Sequence, residues 1–86
     1  MPFVYIVRCA DGTYYTGWAA DVARRVAAHN AGRGGRYTRT RRPVTLDYQE
    51  AAPDRGSAMR REVAIKGFGR EQKERLIRQG EDTSDP

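Results

Sequence analysis

Residues 3–9, Phe-Val-Tyr-Ile-Val-Arg-Cys, are β-branched and aromatic, and Thr-Tyr-Tyr-Thr-Gly at 13–17 returns after the turn residues Ala10-Asp11-Gly12. Two such runs around a glycine-bearing turn predict an antiparallel hairpin. Its register can be worked out in advance. A two-residue turn at Asp11-Gly12 pairs Arg8 with Tyr15 and puts Tyr5 and Tyr15 on opposite faces. A three-residue loop, with Gly12 left-handed in a bulge, pairs Cys9 with Thr13. Tyr15 then lies opposite Val7 and Tyr5 opposite Gly17, so both tyrosines share one face. If the two phenols act together, the bulged loop is required.

Downstream, Asp21 is placed to cap a helix of about ten residues with Val22, Val26 and Ala27 facing inward, ending between Asn30 and Gly35. Residues 31–43 carry glycines, arginines and Pro43 without apolar periodicity, and read as an exposed basic loop. Residues 44–50 alternate apolar and polar and predict a third strand, solvated on one face. After a turn at 53–56, Ser57 caps a second helix to Lys66, with Met59, Val63 and Ile65 as core contacts and Gly67 closing it. A third helix over 70–78 presents Leu76 and Ile77. The last residues read as a disordered acidic tail, which sets one domain at 1–80 and the tail at 81–86. The fold class expected is α/β (α+β): a three-stranded antiparallel sheet flanked by three helices.

Size and charge narrow the function. A chain of 86 residues buries only about 60–65% of its unfolded surface, which leaves a thin core and little room for an enclosed cofactor. The single cysteine, Cys9, excludes an internal disulfide and a four-cysteine zinc site, and is read as a small buried strand residue. No apolar run nears the roughly 20 residues of a membrane span, and no signal-peptide pattern opens the chain, so the expected location is the cytoplasm. Of 16 basic residues only Lys66 and Lys73 are lysine, and seven arginines fall between Arg24 and Arg42, where no acid occurs. Arginine's planar fork grips phosphate oxygens bidentately. A basic stretch of this kind suggests nucleic acid ahead of membrane, against the plainer reading of a solvated face.

Tyr5 and Tyr15-Thr16-Gly17 on adjacent strands are followed by an aspartate-started helix carrying Arg24-Arg25 and His29-Asn30-Ala31-Gly32, a basic loop, and Arg60-Arg61-Glu62 with Lys66. In this order the motifs resemble the GIY-YIG nucleases over about residues 3–78, and most of all the small bacterial stand-alone members. The first motif departs from the family, with Phe3 and Val4 in place of its glycine and isoleucine. The resemblance implies a phosphodiester hydrolase using one divalent ion, Mg²⁺ or Mn²⁺. It makes Tyr5 the residue that activates the attacking water, Tyr15 an organiser of water and phosphate, Arg25 the phosphate stabiliser and Glu62 the metal ligand. Gly17 would admit substrate close to the backbone.

Each role has a plainer counterpart. A phenol with a pKa of about 10 is a poor base unless cations lower that value, which Arg25 and Lys66 are placed to do. Glu62 and Lys66, spaced i,i+4, also fit an ordinary surface ion pair. His29, secondary among the candidates, shares a helix face with Arg25, and a histidine near a helix C-terminus is equally explained by the helix dipole. A helix wheel sets Arg24 about 100° from Arg25, so only Arg25 is expected to line the site. Arg33, Arg36, Arg39, Arg41 and Arg42, interleaved with Tyr37, form the expected nucleic-acid clamp. Five neutralised phosphates on duplex DNA correspond to a log K against log salt slope of about −4.5. The expected function is a metal-dependent endonuclease, acting on DNA and selecting structure more than sequence, in repair or recombination. The alternatives are a non-cleaving nucleic-acid-binding module and a component of a larger repair complex.

Overall fold

A computed structural model describes residues 1–83 of the chain. Its elements run β1 (Phe3–Arg8), β2 (Tyr14–Ala19), α1 (Val22–Asn30), α2 (Arg36–Arg39), β3 (Thr45–Ala51), α3 (Arg55–Lys66) and α4 (Arg70–Thr83). The three strands form one antiparallel sheet in the order β2-β1-β3, with α1, α3 and α4 as the three flanking helices. Among the described residues no helix is long and apolar enough to cross a membrane.

The apolar run of β1 takes the central position, where both faces must be covered. On one face Val4 and Ile6 pack with Ala52, Ala58 and Ile65, and with Ile77 of α4. On the other, Tyr5, Val7 and Cys9 pack with Ala19, Val44 and Val22 of α1. The hairpin has the bulged register. Tyr5 lies opposite Gly17 and Val7 opposite Tyr15, the Cys9 amide donates to the Thr13 carbonyl at 2.7 Å, and Gly12 has φ 86°. Asp11 accepts from the Thr13 amide and hydroxyl, fixing the loop. Burial of Cys9 raises its thiol pKa, as suits an inert core residue.

Several local expectations are corrected. The alternation of β3 does not persist on one face, because a bulge pairs Ile6 with Tyr48 and Val7 with Leu46, leaving Asp47 unpaired. Val44 therefore joins the tyrosine face while Tyr48 packs on the opposite cluster. Asp21 caps α1 as expected, accepting from the Arg24 amide at 3.0 Å, but Ala27 is exposed and His29 takes the inward place beside Val22. The α3 cap is Asp54, three residues before Ser57, whose amide donates to it at 2.7 Å. Met59 and Val63 are 51% and 68% exposed, and Ala58 takes their place in the core beside Ile65, which is buried as expected. The loop at 31–43 contains the single turn α2, with Thr38 buried. At the other end α4 runs on to Thr83, three residues into the expected tail, and residues 84–86 lie outside those described. Gly80 lies against Tyr48, where a Cβ would come within 3.0 Å of the ring.

The reassigned face of α3 is testable by urea unfolding. Ile65→Ala should cost about 2–5 kcal/mol, and Val63→Ala should stay within about 0.5 kcal/mol.

Candidate active site

The site grows from the tyrosine face of the hairpin. Tyr5 is 1% exposed, and its ring crosses to β2 over Gly17, where an added Cβ would come within 2.5 Å of the phenol oxygen. Gly17 thus makes room for Tyr5 itself, a role the sequence reading assigned to substrate approach. The Tyr5 hydroxyl is hydrogen bonded to His29 Nε2 at 2.9 Å, and His29 Nδ1 to the Thr38 hydroxyl at 2.8 Å. His29 is fully buried, wedged edge-on between the rings of Tyr5 (6.0 Å) and Tyr15 (5.3 Å). Gly34 closes over its far side, since a Cβ there would collide with Nδ1. Tyr37 stacks on Tyr15 at 6.0 Å, and the Arg41 guanidinium covers Tyr37 at 4.0 Å.

From α3, Lys66 Nζ stands 6.0 Å from the Tyr15 ring and 3.7 Å from a Glu62 carboxylate oxygen. The charges of Arg25 and Glu62 both act on the Tyr5 phenol, and Arg25 acts on His29 as well. Tyr5, Tyr15, Arg25, His29, Glu62 and Lys66 are thereby gathered at one place from β1, β2, α1 and α3. Arg24 and Arg25 both border an open groove with Ala19, Ala20, Asp21 and Ala28. Of the two, only Arg25 acts electrostatically on Tyr5 and His29.

Electrostatics overturns one expectation about Tyr5. Burial, above all, and then the adjoining Tyr15 push its phenol well above the ordinary value, with Glu62 adding; Arg25 pulls the other way and loses. Cations near the phenol do not outweigh desolvation. His29 is pushed down by burial and then by Arg25, so it is neutral near pH 7. The dipole account of this histidine fails for the same reason, since a helix C-terminus favours the imidazolium. A neutral imidazole has one donor and one acceptor nitrogen. Its two bonds therefore run in a single direction through Tyr5, His29 and Thr38.

The five arginines of the loop fall into two groups. Arg41 donates to Asp11 at 3.1 Å and to the Tyr37 carbonyl at 2.8 Å, and Arg42 donates to the carbonyls of Arg39 and Asn30. These two hold the loop together. Arg33, Arg36 and Arg39 are exposed and, among the described residues, make no ion pair. Asn30 anchors the loop's exit, its amide accepting from the Val44 N–H at 2.7 Å and donating to the Val44 carbonyl at 3.1 Å. The sequence reading missed Thr38 and Gly34. Their signal was the crowding of small residues after His29, which loop composition obscured.

Glu62 offers hard carboxylate oxygens on a side chain 18% exposed. Among the described residues no three potential ligand side chains cluster. One carboxylate completed by waters and substrate oxygens is a fit for Mg²⁺, which keeps most of its hydration.

The neutral buried histidine makes stability depend on pH. Its folded pKa lies below the unfolded value of 6.5, so its contribution is whole above that value and is lost as pH falls through the folded pKa. Thermal melting should show Tm declining from pH 7 to pH 5, with a shallower decline in His29→Gln. Asp11 and Asp54, both held below the ordinary carboxyl value, come into play only under about pH 4.

Comparison with known proteins agrees with this geometry. Residues 1–75 match the GIY-YIG catalytic domain. The UPF0213 protein of Halobacterium salinarum is 57% identical over 77 residues, covering 90% of this chain and 100% of that protein. A UPF0213 protein of Staphylococcus haemolyticus is 53% identical, covering 87% and 92%. The solution NMR structure of a Bacillus halodurans UPF0213 protein is 42% identical, covers 92% of this chain and 85% of its own, and superposes with a TM-score of 0.58. With this sequence match, the same fold and the two tyrosines side by side on it, the chain belongs to the GIY-YIG catalytic-domain family.

Proposed function

We propose that this protein is an endonuclease that hydrolyses phosphodiester bonds in nucleic acid, DNA in the first place, with one divalent ion. The observation that carries this reading is the convergence of Tyr5, Tyr15, Arg25, His29, Glu62 and Lys66 from four separate elements around one buried phenol–imidazole pair.

Burial keeps Tyr5 a neutral phenol near neutrality, so in this assignment it relays the proton of water as a hydroxyl. In the proposed step the water gives a proton to the Tyr5 oxygen while the Tyr5 proton moves to His29 Nε2. Water's oxygen forms the new P–O bond, the bond to the leaving oxygen breaks, and that oxygen is protonated from solvent. His29 ends as the imidazolium and discharges its proton before the next cycle. Arg25 is the guanidinium placed to hold the phosphate as its charge grows, an effect of roughly 2.7–4 kcal/mol by analogy with an oxyanion donor. Glu62 would hold Mg²⁺ or Mn²⁺, and the bound ion would polarise the phosphoryl group and stabilise the leaving oxygen. Lys66 adds positive charge beside Glu62 and Tyr15.

A second assignment within this reading has its own support. Tyr5 is almost wholly buried while Tyr15 is partly open, which favours Tyr15 as the phenol that meets water, with Tyr5 orienting His29. In this reading the exposed arginines contact phosphate, which positions nucleic acid without reading sequence, so we place the selectivity in nucleic-acid structure, with repair or recombination as the setting.

Cleavage of labelled linear, single-stranded and branched DNA with Mg²⁺ or Mn²⁺ tests the proposal. Glu62→Ala and Tyr5→Phe should each lose about 10²-fold or more in kcat with binding retained. If Tyr15→Phe is inactive and Tyr5→Phe retains most activity, the second assignment replaces the first. Salt-sensitive binding without cleavage under either metal would leave a binding module. With only Arg33, Arg36 and Arg39 available from the loop, the log K against log salt slope they supply should be about −2.7. Replacing all three with alanine should reduce the measured slope by that amount.

A further inference from the structure

We propose that Thr38 is a positioning residue that fixes the tautomer of His29, accepting the Nδ1 proton so that Nε2 stays open to the hydroxyl of Tyr5. The catalytic half of this statement rests on the nuclease reading, whereas the tautomer does not.

Two directions are open to the chain of bonds Tyr5–His29–Thr38. In one, Tyr5 donates to Nε2 and Nδ1–H donates to Thr38. In the other, Thr38 donates to Nδ1 and Nε2–H donates to Tyr5. Each leaves one hydroxyl proton unused within the triad, that of Thr38 in the first and that of Tyr5 in the second. A phenol is far more acidic than an aliphatic alcohol, hence the better donor and the poorer acceptor. The first direction uses the phenol proton and gives the imidazole N–H the better oxygen. Tyr5, His29 and Thr38 are all 1% exposed or less, so bulk water does not compete for the two bonds to the imidazole. In such surroundings the difference between the two arrangements is felt strongly.

Geometry removes the remaining freedom. The imidazole cannot flip, because Gly34 lies against Nδ1 and the rings of Tyr5 and Tyr15 bracket the other side. Thr38 is brought to Nδ1 by α2, whose neighbouring residues do other work: Tyr37 stacks on Tyr15, while Arg36 and Arg39 are exposed. A single helical turn thus joins the basic surface to the Nδ1 side of the imidazole, opposite the nitrogen that faces Tyr5.

The test uses the intact protein and its only histidine, which gives one set of imidazole signals in a ¹H–¹⁵N long-range correlation spectrum. The wild type at pH 7.5 should show a protonated Nδ1 and a pyridine-like Nε2. Thr38→Val, nearly isosteric, should raise the Nε2–H population, and Thr38→Ser should restore the wild-type pattern. In cleavage assays Thr38→Val should lower kcat by about 10–100-fold with KM little changed, as partners that orient a functional histidine do, and Thr38→Ser should recover it. A wild-type protein in the Nε2–H form overturns the proposal without any variant. So does Thr38→Val with an unchanged tautomer, or with a changed tautomer and unchanged kcat. If the wild type cuts nothing, the nuclease reading fails, while the spectrum still decides whether Thr38 sets the tautomer.

Discussion

One loop of three residues governs the rest of the molecule. With Gly12 in the left-handed region, the return strand gains one residue and every side chain of β2 turns to a definite face. Tyr15 then shares a face with Tyr5, and Thr16 faces the other side with Ile6. A hairpin shifted by one residue would send Tyr15 among the aliphatic contacts of α3 and α4 and leave His29 without its second aromatic wall. The site is therefore a consequence of turn chemistry before it is a consequence of any catalytic residue.

Around that face, burial is the dominant electrostatic term. Tyr5 and His29 are both pushed toward their neutral forms, in opposite directions on the pH scale, by the same loss of water. Two neutral groups sharing a hydrogen bond suit passage of a proton from one to the other, with charge appearing only as the reaction proceeds. Arg25, Glu62 and Lys66 stand nearer to solvent, where their charges can meet a phosphate and a cation. In the proposed reaction, proton movement lies inside and charge recognition outside.

The segment at 31–43 joins the two. Its composition suggested a solvated loop, yet Arg41 and Arg42 are spent on Asp11 and on backbone carbonyls, and Asn30 grips Val44. Arginine is suited to this because one guanidinium satisfies several oxygens at once. Arg33, Arg36 and Arg39 are left exposed and, among the described residues, outside any ion pair. A count of charge does not show which carbonyls need donors.

What the sequence alone determined is local and periodic. The β-branched run of β1, the Ala10-Asp11-Gly12 loop with its register, the Asp21 cap and the order of motifs from Tyr5 to Glu62 were all legible, because they depend on backbone preferences and on spacing within one element. The tertiary structure decided the rest. It alone exposed Met59 and Val63 and buried Ala58, because which face of a weakly amphipathic helix turns inward depends on the surface it meets. It alone put a bulge in β3, carried α4 past Gly80 onto Tyr48, and brought Thr38 and Gly34 to His29. Those contacts join residues distant in sequence and far apart until the chain folds. Desolvation of Tyr5 belongs with them, since a pKa follows from the neighbours a group acquires and not from the residue type alone.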